Sequence, residues 1–243
     1  MTLQHCSSHT LAQRVRAELG RVDNVIADPP FSERVSRGSS NGRRRDSSTG
    51  VSTRGLEYAS WSSDDVRAFV ADWAPLCARW FAVLCSHDQI HTYEREFANA
   101  KRYVFAPVPC VVTGSNVRLC GDGPSSWTSY LVASRPHAMT PRSGTLRGGY
   151  WGPRERLLVS GGKPLWLMRD IVRDYSRPGE LVCDPCAGSG TTLLAARIER
   201  RAFVGCEADA GRFERARARL TRRTDKRAVH SEREHDAPAD KDR

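Results

Sequence analysis

Short apolar runs alternate along the chain with segments whose apolar positions recur every three or four residues. Residues 14–21 carry a helical pattern, and the apolar run Val22-Asp-Asn-Val-Ile-Ala27 predicts a strand. That strand must stop at Asp28-Pro29-Pro30-Phe31, because two prolines do not fit a central strand. Ser62 or Ser63 can cap a helix over residues 65–79, which places Val66, Phe69, Val70, Trp73 and Leu76 on one face. Residues 80–85 read as a buried strand and 88–100 as a helix. Residues 102–107 and 126–134 read as strands, the first broken by Pro107 and Pro109. A helix over 164–175 opens on Pro164. Next come a strand over 180–184, a glycine-rich turn, a helix over 191–199, a strand over 202–206 and a helix over 208–222. Strands alternating with helices predict an α/β fold with a mostly parallel central sheet flanked by helices.

The polar stretches divide the chain. Residues 32–57 are rich in Ser, Gly and Arg and predict a flexible basic loop within one domain spanning 1–222. Residues 135–162 are rich in Arg, Gly and Pro and predict irregular structure. Residues 223–243 are charged and predict a disordered tail. Lys and Arg number 38 against 28 Asp and Glu, a net +10, which favours an anionic partner such as nucleic acid. Only Lys101, Lys163, Lys226 and Lys241 are lysines; the arginine bias fits either genome composition or bidentate phosphate contacts. No apolar run is long enough to cross a membrane, and the start lacks the apolar centre of a signal peptide. Eight cysteines without a secretory signal predict a reduced, cytoplasmic protein. Cys183 and Cys186 have the spacing of a zinc or redox pair, but there is no second such pair at ribbon spacing. His87 and His91, four apart without an HExxH pattern, read as a surface pair, and no metal site is expected.

Two stretches carry chemistry. In Leu181-Val-Cys-Asp-Pro-Cys-Ala-Gly-Ser-Gly-Thr-Thr192 an apolar strand ends at Asp184, glycines come next, and a helix begins near Thr191. Glycines let backbone approach a ligand, and the helix start offers unpaired N–H groups. The spacing is neither a dinucleotide fingerprint nor a P-loop. Glu207 ends the next strand, where an acid can accept from two ribose hydroxyls. Asp28-Pro29-Pro30-Phe31 reads either as a surface turn or as a site. In the second reading the Asp28 carboxylate and the Pro29 carbonyl accept from an exocyclic amine, and Phe31 stacks on a planar base.

Together these residues resemble the amino-group DNA methyltransferases that use S-adenosyl-L-methionine. DPPF matches the family's [DNS]PP[YFW] motif, and DPCAGSGTT matches its DPFAGSGTT motif with Cys186 in place of Phe. DPPF comes first in the chain, as in the permuted β class, and Lys163-Pro164 with its helix resembles the segment preceding the cofactor strand in that class. The resemblance implies a Rossmann-like methyltransferase fold in circularly permuted order. It also implies methyl transfer from S-adenosyl-L-methionine to adenine N6 in double-stranded DNA, after base flipping. Cytosine N4 is the alternative target. A catalytically silent nucleic-acid-binding module is the alternative of another class, and methylation of RNA or protein fits the motif order less well. The implied catalytic residues are Asp28, Pro29, Pro30 and Phe31. Asp184, Pro185, Ala187, Gly188, Ser189, Gly190 and Thr191 would hold the cofactor's methionine end and Glu207 its ribose. Lys163 would either approach the cofactor or lie on the surface. Arg43, Arg44 and Arg45, with Arg142, Arg147 and Arg154 in a short recognition segment over 135–162, would contact DNA. Arg212, Arg215, Arg219, Arg222 and Arg223 read as a solvated helix face or a further phosphate contact. The family implies a DNA-associated enzyme of a bacterial or viral-host cytoplasm, able to form a homodimer, with an orphan, viral or restriction-linked role. One departure is His5-Cys6, which stands where family members usually carry Gly-Asp beside the cofactor's adenine.

Overall fold

The computed structural model describes residues 2–35, 60–114, 127–140, 144–155 and 162–221. In chain order the elements are β1 Thr2–His5, α1 Ser8–Glu18, β2 Asn24–Ala27, α2 Ser63–Trp73, β3 Phe81–Cys85, α3 Ile90–Asn99, β4 Arg102–Val104, β5 Val108–Thr113, β6 Trp127–Pro136, β7 Tyr150–Pro153, α4 Leu165–Tyr175, β8 Leu181–Asp184, α5 Thr191–Ile198, β9 Ala202–Glu207 and α6 Ala210–Thr221. Most of the predicted basic loop, the charged tail, and Arg43, Arg44, Arg45 and Arg142 lie outside the described residues.

The nine strands form one sheet in the order β1-β9-β8-β2-β3-β6-β5-β7, with β4 also on β6. Strands β1, β9, β8, β2 and β3 run parallel. Strand β6 runs antiparallel to β3, β4 and β5, and β7 is parallel to β5. Alternate residues of each buried strand face opposite cores. Val25, Ala27, Phe81 and Val83 pack with Leu11, Val15, Phe69, Trp73 and Phe97 of α1–α3. Ile26, Ala82, Leu84 and Val182 pack with Leu167, Ile171, Leu193 and Ala195 of α4 and α5. The result is a three-layer arrangement of helices on both faces of a mostly parallel sheet, as predicted.

The departures have local causes. Pro75 lacks the N–H that would continue α2, so the helix stops at Trp73 and gives way to a 3-10 turn over Ala74–Leu76. The prolines after β4 do not end pairing along β6. Strand β5 continues on the same edge, and Pro109 sits opposite Tyr130, before β7 begins to pair at Cys110. Its missing N–H is therefore not needed on the β7 side. Strands β1 and β7, which the pattern did not reveal, are the sheet's two edges. No helix among the described residues is long and apolar enough to cross a membrane.

Strand β8 leads through α5 to β9 on one side, while β2 leads through α2 to β3 on the other. The chain thus reverses its winding direction between two adjacent parallel strands, and ligands in open α/β sheets bind outside the carboxyl ends at such a point. Buried Asn24 fixes the register there: its Nδ2 donates to Glu180 Oε2 at 2.8 Å, and its Oδ1 accepts from Trp80 N at 3.2 Å.

Candidate active site

Both chemistry-bearing motifs lie at this point. Asp184 is the last residue of β8, and Asp28 directly follows β2. The pairing of Val25 with Cys183 brings the two carboxylates to the same edge of the sheet. Each is held differently.

Asp184 is buried. Its Oδ1 accepts from the Cys186 N–H at 3.0 Å, whereas its Oδ2 is buried with no hydrogen-bond partner. Burial pushes its pKa up to about 7, and the charges of Asp28 and Glu207 add to the rise; the Thr192 hydroxyl and the Cys186 N–H oppose it. An orphaned buried carboxylate oxygen in a native protein calls for a donor or cation that completes it. Gly188 and Gly190 both have positive φ, +54° and +76°. A Cβ on Gly188 would project into open space, whereas one on Gly190 would lie 3.2 Å from the Ala216 Cβ. The first glycine therefore faces open space and the second is packed. The loop is tied down by Ala187 N donating to Cys206 O at 2.9 Å and Gly188 N donating to Glu207 Oε2 at 2.8 Å.

Glu207 is therefore a loop clamp as well as the acid expected on a ribose. Its Oε1 accepts from Asp209 N at 2.8 Å. At the neighbouring end of β1, His5 pairs in register with Glu207, stacks on Phe213 with centroids 5.1 Å apart, and reaches Ala208 O at 3.1 Å. An imidazole and a phenyl ring thus occupy the region where the resemblance expects Gly-Asp. Arg219 of α6 donates to Thr191 Oγ1 at 2.9 Å, so one arginine of the basic C-terminal helix supports the glycine loop.

Asp28 lies under a cation. Lys163 Nζ is 2.6 and 2.8 Å from its two oxygens and 4.5 Å from the centroid of the Phe31 ring. Burial raises the Asp28 pKa, and the charge and hydrogen bonds of Lys163 oppose the rise. Pro29 is buried, while Pro30 and Phe31 are half-buried. The turn is braced from outside: Trp61 N donates to Phe31 O at 3.0 Å, and the buried Gln89 amide reaches Pro30 O at 3.5 Å.

The remaining site expectations divide. Arg147 forms an ion pair with Asp170 at 2.6 Å and stands over the Tyr150 ring, so its guanidinium is engaged within the fold. Arg154 is exposed beyond the carboxyl end of β7. Cys183 and Cys186 are free thiols whose pKa burial pushes well above the usual range, which disfavours a reactive redox pair. Among the described residues no group of three or more His, Cys, Asp or Glu could hold a metal ion.

Comparison with known proteins bears on the fold and on the C-terminal part of the chain. Residues 154–218 match the N6/N4 methyltransferase family model, described as DNA methylase. The match spans Lys163, the glycine loop and Glu207 but stops short of Asp28. The type II methyltransferase M.HindIII of Haemophilus influenzae is 45% identical over 58 residues, which are 24% of this chain and 19% of that protein. The chain thus aligns with about one fifth of the length of that relative. The structure of the M1.HpyAVI–SAM complex superposes with a TM-score of 0.66 at 22% identity, covering 90% of this chain and 99% of that one. TTHA0409 of Thermus thermophilus, complexed with S-adenosyl-L-methionine, gives 0.63 at 14% identity, covering 90% and 92%. The PvuII DNA methyltransferase, cytosine-N4-specific, gives 0.62 at 13% identity, covering 95% and 90%. The fold is that of these methyltransferase structures.

Proposed function

We propose that this chain is a DNA methyltransferase of the N6/N4 amino-group type, with its motifs in the permuted β order, and that it modifies adenine N6 in double-stranded DNA. The observation that carries the reading is the adjacency of Asp28-Pro-Pro-Phe31 and the Asp184–Thr191 loop at one switch point of a methyltransferase fold. The residues present fit S-adenosyl-L-methionine. The orphaned Asp184 Oδ2 suits the cationic methionine end, the open side of Gly188 leaves room for a ligand against the backbone, and Glu207 suits the ribose. When bound, this cofactor supplies a methyl group on a positively charged sulfur.

The chain's own residues would prepare the acceptor. A base paired in a duplex cannot present its amino nitrogen to this site, so the target must flip out. Phe31 offers a face for it to stack on. An aromatic amine is a weak nucleophile because its lone pair is delocalised into the ring. The Asp28 carboxylate and the Pro29 carbonyl, accepting its two hydrogens, favour a pyramidal nitrogen with the lone pair aimed at the methyl carbon. This nitrogen would take the methyl group from the cofactor held at the glycine loop, and its surplus proton would pass to water or to the Asp28 carboxylate. Asp28 also stabilises the positive charge that builds on the nitrogen. Arg43, Arg44, Arg45, Arg142 and Arg154 are proposed to contact phosphates.

Cytosine N4 is the second reading, supported by the likeness to a cytosine-N4 enzyme. Incubation with labelled S-adenosyl-L-methionine and duplex DNA, followed by digestion to nucleosides, separates the two. Label in N6-methyladenine is expected, label in N4-methylcytosine selects the second reading, and no label counts against both.

A further inference from the structure

Lys163 is placed unlike a surface lysine. Its side chain is only 8% exposed, and it bonds both oxygens of Asp28 while lying over Phe31. The helix on its C-terminal side fixes its backbone. Pro164 opens α4, Glu155 Oε2 accepts from Leu165 N at 2.6 Å, and Arg169 and Arg173 tie α4 to Glu199 at the end of α5. The ammonium therefore comes from a rigid helix start and stands where a stacked base would present its amine.

We propose that Lys163 is a positioning residue for Asp28: its ammonium holds the carboxylate ionised and aimed across Phe31, and yields that place to the target amine when the base enters. This rests on the reading of Asp28 as the acceptor for that amine. Among the described residues, the groups that bear on Asp28 are Lys163, Asp184, the Cys186 thiol of the glycine loop, the Cys110 thiol of β5 and the Tyr93 phenol of α3. Burial keeps the thiols and the phenol uncharged at neutral pH, with Cys110 pushed up to about 12. Lys163 is then the sole cation in this set, and its ammonium is bonded to Asp28. Without it burial would push the Asp28 pKa further up, toward the protonated form that loses an acceptor needed by the amine. An ammonium is a fitting occupant of the waiting site, since it donates as the amine does but has no lone pair to attack the methyl carbon. The positive charge developing on the methylated nitrogen then replaces the charge that Lys163 withdraws.

The test is a titration of Asp28 by carbon-13 NMR in aspartate-labelled protein, with Asp28→Asn assigning the resonance. Lys163→Met should raise the Asp28 pKa by about one to three pH units, and Lys163→Arg should restore most of the difference. Lys163→Gln serves in place of Met if the latter does not fold. The acid limb of kcat/KM for methyl transfer, which reports groups of the free enzyme, should move upward by the same amount, with cofactor affinity unchanged. An Asp28 pKa that is the same in folded wild type and Lys163→Met or Lys163→Gln overturns the proposal. So does a loss seen only as weaker cofactor binding. If wild type transfers no methyl group, the titration still reads the Lys163–Asp28 relationship, and the methyltransferase reading is what fails.

Discussion

Glu207 accepts the Gly188 N–H at 2.8 Å, so the acid ending β9 holds the turn that ends β8. A cofactor that recruits this carboxylate to its ribose meets a group already ordered by the loop that cradles its other end. Removing the acid should therefore disturb both. A charge-assisted hydrogen bond is worth about 1.5–3 kcal/mol. Glu207→Ala should weaken S-adenosyl-L-methionine binding by roughly 10- to 100-fold in isothermal titration calorimetry. Glu207→Gln, which keeps an acceptor, should lose less.

If Asp184 holds the cationic end of the cofactor as proposed, cofactor affinity should depend on pH. Its folded-state pKa, raised to about 7, lies above the unfolded value. The folded form thus binds the extra proton between the two, and the carboxylate costs stability progressively as pH rises through that window. By pH 8 the cost is of order 4 kcal/mol at 1.36 kcal/mol per pH unit. Asp184→Asn should accordingly raise the melting temperature at pH 8 more than at pH 4. The ionised form is the one that suits a cationic ligand, so wild-type affinity should rise with pH across 6–8, and that rise should vanish in Asp184→Asn.

The two loop glycines should fail in different ways. Both have left-handed backbones that cost an L-residue about 1–2 kcal/mol, or about 2–4 °C of melting temperature per kcal/mol at this size. Gly190→Ala also crowds Ala216, so its loss should appear mainly in thermal unfolding. Gly188→Ala places a methyl group in the open space beside the loop. It should add to a similar thermal loss a drop of about tenfold or more in cofactor affinity.

Arginines grouped by sequence should separate by experiment. Arg147 is paired with Asp170, and exposed pairs contribute at most about 1 kcal/mol. Arg147→Ala should lower the melting temperature slightly and leave the salt dependence of DNA binding unchanged. Each arginine that contacts a phosphate, proposed for Arg154 and for Arg43–Arg45, should reduce the slope of log affinity against log salt by about 0.9 when replaced. These slopes can be read by fluorescence anisotropy on a labelled duplex.

The range of each interaction decided whether the sequence revealed it or hid it. Strands β2, β8 and β9 are buried in the sheet's interior, so their apolar runs stand out, and their ends are marked by Asp28-Pro-Pro, the glycines and Glu207. The edge strands β1 and β7 are four residues each and include Gln4, His5, Gly152 and Pro153, so neither looks like a strand. Their order comes from partners far along the chain. The same holds within the site. Asp28 and Lys163 are 135 residues apart and Arg219 lies 28 from Thr191, and no local spacing predicts either contact. Arg147 and Arg154 look alike in sequence, and the positions of Tyr150 on β7 and of Asp170 and Asp174 on α4 distinguish them.

Asp28 and the glycine loop are proposed to form one methyl-transfer site with divided tasks. The most direct test of that proposal measures, in wild type and Asp28→Ala, both S-adenosyl-L-methionine affinity and transfer of labelled methyl to duplex DNA. Asp28→Ala should still bind the cofactor, should melt below wild type because the buried Lys163 ammonium loses its partner, and should transfer no label. Transfer by Asp28→Ala at the wild-type rate would contradict the proposal.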